Sequence, residues 1–285
     1  EKTMTRKYRF NYPIVALIAS KNPVAALEVT VDSLFKGGAS KVIVVDDGSD
    51  SLDAATVFAA VEKRGATVIH LSKNVGKAQA LKQGFRQIPA KSIIVQTDDD
   101  TIAGDLCGPA EMIRSRRADI VDIRIETIRS NSILAVVQEM AYWLMNAVAK
   151  RLQDYVRARL WMSGASVMYN HKAGQELILG RSHTITEDTE GLFRARSKGH
   201  KVRYYSKKDA QFLTMVPEDL RSLRKQWQRW AMGNGQVIGL YGLGAGNMRI
   251  FLVNLIAWFD LLIWPIIPYI YHGILATLAW TFGAG

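Results

Sequence analysis

Hydrophobic and polar positions in the first third of the chain follow two alternating patterns. Residues 12–20 (YPIVALIAS) form an unbroken apolar run, suited to a strand buried on both faces. Residues 24–36 then carry apolar side chains at helical spacing and stop at Gly37-Gly38, a helix-ending signal. The cycle repeats: strand 41–45, helix 52–64, strand 67–71, helix 77–87 and strand 92–96. Short connections join strand to helix throughout, which predicts βαβ units and a mostly parallel sheet. Beyond residue 100 the pattern loosens. Residues 106–117 are helical and 120–128 alternate like a half-exposed strand. A long helix is expected over 134–152 and a strand over 160–169, interrupted by Ser163-Gly164. Helix 188–197, strand 201–205 and helix 222–231 complete the reading. No break divides residues 13–232, so the chain is expected to hold a tail (1–12), one α/β domain (13–232) and an apolar appendage (233–285).

The appendage changes the picture most. Between residues 250 and 282 the only charged side chain is Asp260, and five Trp and Tyr residues stud the stretch. Pro265 and Pro268 divide it into pieces shorter than the ~20 residues a bilayer span requires. One kinked span, an interfacial hairpin and helices buried in a homo-oligomer all fit. The aromatic content favours the membrane. Charge points the same way. The 285 residues carry a net charge of +11, and residues 194–229 hold eleven Lys/Arg against three acids. Such a stretch suits a phosphate-bearing ligand or an anionic membrane surface. Cys107 is the one cysteine, so no internal disulfide forms and a reducing compartment is expected. Residues 1–12 are charged and lack the apolar core of a signal peptide.

Candidate chemistry sits at the predicted strand ends. Asp46-Asp47-Gly48 follows the second strand and Asp98-Asp99-Asp100 the fourth. Ligands in open α/β sheets bind at the carboxyl ends of strands. Asp98 and Asp100, one residue apart, can hold a hard cation such as Mg²⁺ or Mn²⁺ against a diphosphate. A helix cap would need fewer acids than three in a row. Asp46 and Asp47 alone fit an ordinary turn at Gly48 equally well. Thr186-Glu187-Asp188 fits a capping box with Thr189-Glu190. Gln226, Arg229 and Trp230 share one helix face at i, i+3 and i+4. That face offers a guanidinium for phosphate and an indole for a sugar ring, or else an amphipathic helix at a membrane surface. No GxGxxG follows any strand, which argues against a dinucleotide-dependent dehydrogenase.

The order DDG, DxD, TED, QxxRW, with NVGKAQAL and MSGASVMYN between, resembles the processive inverting glycosyltransferases of family two. These are the cellulose, chitin and hyaluronan synthases and their bacterial relatives. The resemblance runs from about Pro13 to Trp230 and implies a GT-A-type domain followed by membrane-associated helices. It implies transfer of a sugar from a UDP-sugar to a growing β-linked polysaccharide, at a membrane, with the catalytic domain facing the cytoplasm. Asp46, Asp47, Lys77, Asp98, Gln226, Arg229 and Trp230 would then bind the nucleotide-sugar. Asp98 and Asp100 would hold Mg²⁺ or Mn²⁺, and Asp188 would be the base, with Glu187 beside it. Ser163, Gly164 and Trp230 would lie against a saccharide or lipid-linked acceptor. The chain departs from the family where Pro23 follows Asn22 in place of Glu. Other readings are a nonprocessive transferase adding one sugar to a lipid or protein, a non-catalytic basic binding protein, and a nucleotide-binding regulator. The resemblance gives nucleic acid no part.

Overall fold

The computed structural model describes residues 12–128, 133–159, 161–217 and 219–242. The apolar stretch 250–282 lies outside the described residues, and so does its expected membrane contact. Among the described residues no helix is long and apolar enough to cross a membrane.

Residues 12–97 fold as the periodicity predicts. Strands β1 (Ile14–Ser20), β2 (Lys41–Asp46), β3 (Thr67–His70) and β4 (Ile93–Thr97) alternate with helices α1 (Ala26–Lys36), α2 (Ala54–Lys63) and α3 (Lys77–Phe85). Successive side chains of a strand face opposite ways. Ala16, Ile18, Val42 and Val44 therefore pack with α1 and α2 on one face. Leu17, Ile43 and Val45 pack with Leu81 and Phe85 of α3 on the other. Both faces are covered, which is why the strands are apolar without alternation.

Later elements extend this sheet. They are β5 (Thr101–Ile102), α4 (Cys107–Arg114), β6 (Ile120–Ile123), β7 (Ile125–Thr127), α5 (Ile133–Leu144), α6 (Lys150–Tyr155), β8 (Val167–Asn170), α7 (His171–Gly174), α8 (Glu187–Ser197), β9 (Val202–Tyr205), β10 (Phe212–Thr214) and α9 (Leu220–Tyr241). The main sheet runs β3-β2-β1-β4-β8-β6-β9, and β5-β10-β7 form a small second sheet. In the main sheet β8 alone runs antiparallel to its neighbours. The sheet is thus mostly parallel, as expected. β1 leads outward to β2 and β3, and the chain then returns through α3 to β4 on the other side of β1. The carboxyl ends of β1 and β4 flank that switch point, where open sheets place their ligands.

Three expectations are corrected. The alternating stretch 120–128 is not one half-exposed strand. It splits into β6 and β7, which belong to different sheets, and most of its residues are buried. The strand expected over 160–169 shortens to β8, because residues 163–166 make a turn. The final helix is twice the expected length. The helix expected over 134–152 forms, but with a π-helical turn at Met145–Ala149. That turn helps to set Asn146 and Lys150 inward, 1% and 0% exposed.

Lys150 belongs to a buried charge cluster that locks this helix to the sheet. Asp122 on β6 accepts from Lys150 Nζ at 3.0 Å and from Arg159, with all three side chains at most 2% exposed. The Tyr204 ring lies within 5.5 Å of Lys150 Nζ and 4.9 Å of the Arg159 guanidinium. Two cations around one carboxylate survive burial only while the pairing holds. Asp122→Ala should cost about 3–5 kcal/mol of stability in a denaturant titration.

α9 docks across the fold by close approach. A Cβ added at Gly233 would sit 2.2 Å from Thr186 Cγ2 and 2.4 Å from its Oγ1, so glycine lets the helix lie directly on the loop before α8. Gln236 Oε1 accepts from Ile185 N at 3.0 Å. At the other end Gln138 of α5 is held twice, donating to Gln226 Oε1 at 3.2 Å and accepting from Trp227 Nε1 at 3.1 Å. Gly233→Ala should destabilise the protein by about 1–3 kcal/mol. The double variant with Thr186→Ala, which removes two of the three clashing atoms, should recover part of that loss in thermal melts.

Candidate active site

The acids that follow β4 meet those that begin α8 around one ammonium group. Lys77 is the first residue of α3, after Gly76 at φ 86°. Its Nζ donates to Asp98 Oδ1. Burial works to lower the Lys77 pKa, but Asp98, Glu187 and Asp188 together hold it above its ordinary value. The lysine is placed by the two loops beside it. Asp47 Oδ1 accepts from Val75 N at 2.7 Å, tying the DDG turn to the NVGK loop. Gly48, at φ 65°, passes under that loop where a Cβ would fall 2.3 Å from Lys73 C. The pairing of DDG with NVGK is therefore structural. Asp46 also works internally. Its Oδ1 accepts from Ser49 N at 2.8 Å, and His70 Nδ1 lies 2.8 Å from its Oδ2. Burial pushes Asp46 up, and the bonds to Ser49 and His70 outweigh it and leave its pKa lowered.

The three consecutive aspartates have separate surroundings. Asp98 faces Lys77. Asp99 accepts from Ser20 Oγ at the end of β1, across the switch point. Asp100 takes only a local bond from Thr101 Oγ1 at 3.3 Å. Burial and the neighbouring charges of Asp98 and Asp99 push its pKa up to about 6. None of the three caps α4, whose first N–H groups go instead to Asp105. Repulsion of the Asp100 carboxylate by Asp98 and Asp99, with Lys77 paired only to Asp98, is what a divalent cation would relieve. Among the described residues no group of three or more His, Cys, Asp or Glu gathers as a ready metal cage. Asp98 and Asp100 thus suit an ion that takes its remaining ligands from a substrate and water.

Asp188 is fixed on both oxygens. Gly164 N donates to Oδ2 at 3.0 Å and Thr189 N to Oδ1 at 2.7 Å. Burial raises its pKa, and these N–H bonds and Lys77 oppose that rise only in part. Glu187 is raised as well, by burial and then by Asp188. The reversed strand β8 explains why Ser163-Gly164 comes here. β8 begins at the carboxyl end of β4, with Val167 opposite Gln96, so the preceding turn lies beside Asp98. Gln96, which the sequence reading missed, steadies the turn from below. Its Nε2 donates to Gly164 O and its Oε1 accepts from Tyr169 Oη, both at 3.2 Å.

The capping box expected at Thr186 does not form, since its side chain accepts no N–H bond. Glu190 turns the other way and accepts from His183 N, Thr184 N and Arg194 Nη1, all within 3.0 Å. This fully buried carboxylate holds the loop before α8 and was also missed. An acid four residues after an N-cap threonine looks the same in sequence whichever way its side chain turns.

The QxxRW helix is brought to the site, but its members divide. Trp230 meets the Tyr142 ring edge-on at 6.5 Å and stays 37% exposed. Gln226 bonds to Gln138. Arg229 is exposed and makes no hydrogen bond or ion pair among the described residues. Tyr142, on α5 and without a role in the sequence reading, lies near the acids instead. Burial raises its pKa, with Asp98 and Asp100 adding to the rise. Trp161 packs with Ala158, Phe193 and Val237, so it belongs to a core cluster.

Known proteins share both sequence and fold with this chain. Poly-beta-1,6-N-acetyl-D-glucosamine synthase of Staphylococcus aureus is 28% identical over 231 residues, 79% of this chain and 55% of that protein. The Staphylococcus epidermidis synthase is 24% identical over 228 residues, covering 78% of this chain and 54% of its own length. The chain thus spans about half the length of the curated relatives it matches. In fold it is similar to the mannosyltransferase PcManGT of Pyrobaculum calidifontis, solved with GDP-Man and Mn2+ (TM-score 0.62, 14% identity, 97% of this chain and 84% of that one). S. aureus TarS with UDP-GlcNAc superposes at TM-score 0.56 with 14% identity, over 79% of this chain and 66% of that one. The family model described as glycosyl transferase family group 2 matches residues 93–283, and the chain belongs to that family.

Proposed function

We propose that the protein transfers a sugar from a UDP-sugar to a growing β-linked polysaccharide, with inversion at the anomeric carbon. The observation that carries this reading is the meeting of Asp98, Glu187 and Asp188 around Lys77 at the carboxyl edge of the sheet. N-acetylglucosamine is the first sugar to test, because it names the product of the Staphylococcus relatives and the ligand of the TarS complex.

In this reading the acceptor hydroxyl gives its proton to Asp188 as its oxygen attacks the anomeric carbon. The bond from that carbon to the diphosphate oxygen breaks, and UDP leaves with the electron pair. Asp188 is suited to the task because its two N–H bonds fix its orientation, while burial raises its basicity above that of an ordinary carboxylate. The charge of Asp98 raises it further by like-charge repulsion. Lys77 donates to Asp98 and would face the diphosphate. Asp98 and Asp100 would hold Mg²⁺ or Mn²⁺, which neutralises charge on the leaving diphosphate when bound. Asp46 and Asp47 shape the nucleotide side of the cleft. Ser163, Gly164 and Trp230 form the acceptor side, where the indole can stack on a sugar ring. Arg229, exposed on α9, is free to reach a phosphate. The apolar stretch 250–282 and the basic stretch before it support a membrane-associated enzyme with its catalytic domain in the cytoplasm.

UDP release should be measured over a panel of UDP-sugars with Mg²⁺ or Mn²⁺ and short acceptors. Release is expected with one sugar, and Asp188→Asn should lower it by about 10²–10⁴-fold. No release from any UDP-sugar would overturn the reading, and sizing the products separates chain growth from single addition. The pH profile is a second check. Asp188 must be ionised to take a proton, and its pKa is raised. Activity should therefore fall on acidification at a pH above the ordinary aspartate value of about 3.9.

A further inference from the structure

A cavity of about 510 Å³ lies at the opposite edge of the sheet from the acids. β6 and β9 run parallel to one another and in the same sense as β4, so their first residues lie at the edge away from the DxD. Arg116 and Arg117 line the cavity from the end of α4, Arg157 and Arg159 from the turn after α6, and Arg196 from the last turn of α8. Lys201 and Arg203 add to them from the start of β9, against the single acid Asp154.

Helix dipoles do not explain this concentration. α4, α6 and α8 all end here, and three carboxyl termini supply about 1.5 negative charges. Asp154 and the nearby Asp119, 3.9 Å from His200, add two more. Seven cations still exceed that. Asp122 is no further counter-charge, since it is shared between Arg159 and Lys150.

Two more observations point to a ligand. Arg159 is 2% exposed, yet its Nε has no hydrogen-bond partner among the described residues. The second lies in the backbone. α1, α2, α8 and α9 are each followed by a glycine at positive φ (Gly38, Gly65, Gly199 and Gly242). α4 and α6 instead place Arg116 (φ 57°) and Arg157 (φ 55°) in that left-handed position, where glycine is the unstrained choice. Three described non-glycine residues have positive φ, and two of them are arginines on this cavity. Strain kept at a pair of cations facing one cavity marks a functional position.

We propose that this cavity is a second anion site that binds phosphate groups, carried either by a soluble polyphosphate or by the headgroups of an anionic lipid surface. Arginine forks match phosphate oxygens in pairs. The volume falls in the range of small-molecule sites and is more than one phosphate fills. The site stands on its own residues and does not depend on the reaction proposed above.

Thermal unfolding of the full chain with inorganic tripolyphosphate at fixed ionic strength tests it, beside co-sedimentation with phosphatidylglycerol and phosphatidylcholine vesicles. The variant is Arg116→Gly with Arg157→Gly, which removes two guanidinium groups and gives both left-handed positions the residue that suits them. Without ligand it should melt at or above the wild-type temperature. Tripolyphosphate should raise the wild-type melting temperature, and the variant should lose most of that shift; this outcome supports a soluble ligand. Binding to phosphatidylglycerol vesicles that the variant loses, with no tripolyphosphate shift, supports a lipid headgroup. The proposal fails if wild type responds to neither probe, or if the variant keeps the full response.

Discussion

Crowded negative charge is the constraint around which this protein is organised. Burial and the charge of Asp98 push up the pKa values of Asp99, Asp100, Glu187 and Asp188, and the Lys77 ammonium opposes that rise at Asp99, Glu187 and Asp188. Carboxylates at such density cost free energy unless neutralised or hydrogen-bonded. Each support in the surrounding fold serves that need. Asp47 fixes the loop that presents Lys77, Ser20 draws Asp99 aside, and backbone N–H groups hold Asp188. In the proposed reading, the negative charge left over is offset by the cation that accompanies the diphosphate.

Much of this was legible in the sequence because it depended on local pattern. The three βα repeats and the strand after them announced themselves through period and glycine stops, and the acids lay at the ends of the predicted strands. Other features depended on contacts between distant residues. β6 and β7 read as one strand because Arg124 between them keeps the alternation, while the chain there passes from one sheet to the other. Ser163-Gly164 read as a brief interruption within one strand because apolar residues lie on both sides of it, whereas the turn at residues 163–166 leaves only β8 as strand. Gln96 looked like an ordinary strand residue, and its bonds to Gly164 and Tyr169 exist only through the reversal of β8. Tyr142 was hidden for a similar reason: its helix lies over the acids only once the chain beyond residue 100 has folded back.

The two edges of the sheet divide the electrostatics. The carboxyl edge gathers acids and the opposite edge gathers arginines. The net charge of +11 describes neither. α9 ties the carboxyl edge to the rest of the fold, with Gln138 gripping its first turns and Gly233 lying against Thr186. Displacing it would expose Tyr142 and Trp230 and loosen the loop before Asp188 in one motion.

The double anchoring of Asp188 has a stereochemical consequence. A carboxylate offers about four lone-pair sites, two on each oxygen. Gly164 and Thr189 occupy one on each. A proton can therefore arrive only at one of the two remaining sites, and the carboxyl group cannot spin to bring it elsewhere without breaking a backbone bond. If Asp188 takes the acceptor proton as proposed, the directions from which an incoming hydroxyl can be relieved of it are written into the backbone, so a molecule presenting its oxygen from any other side would sit in the same cleft and stay unreacted.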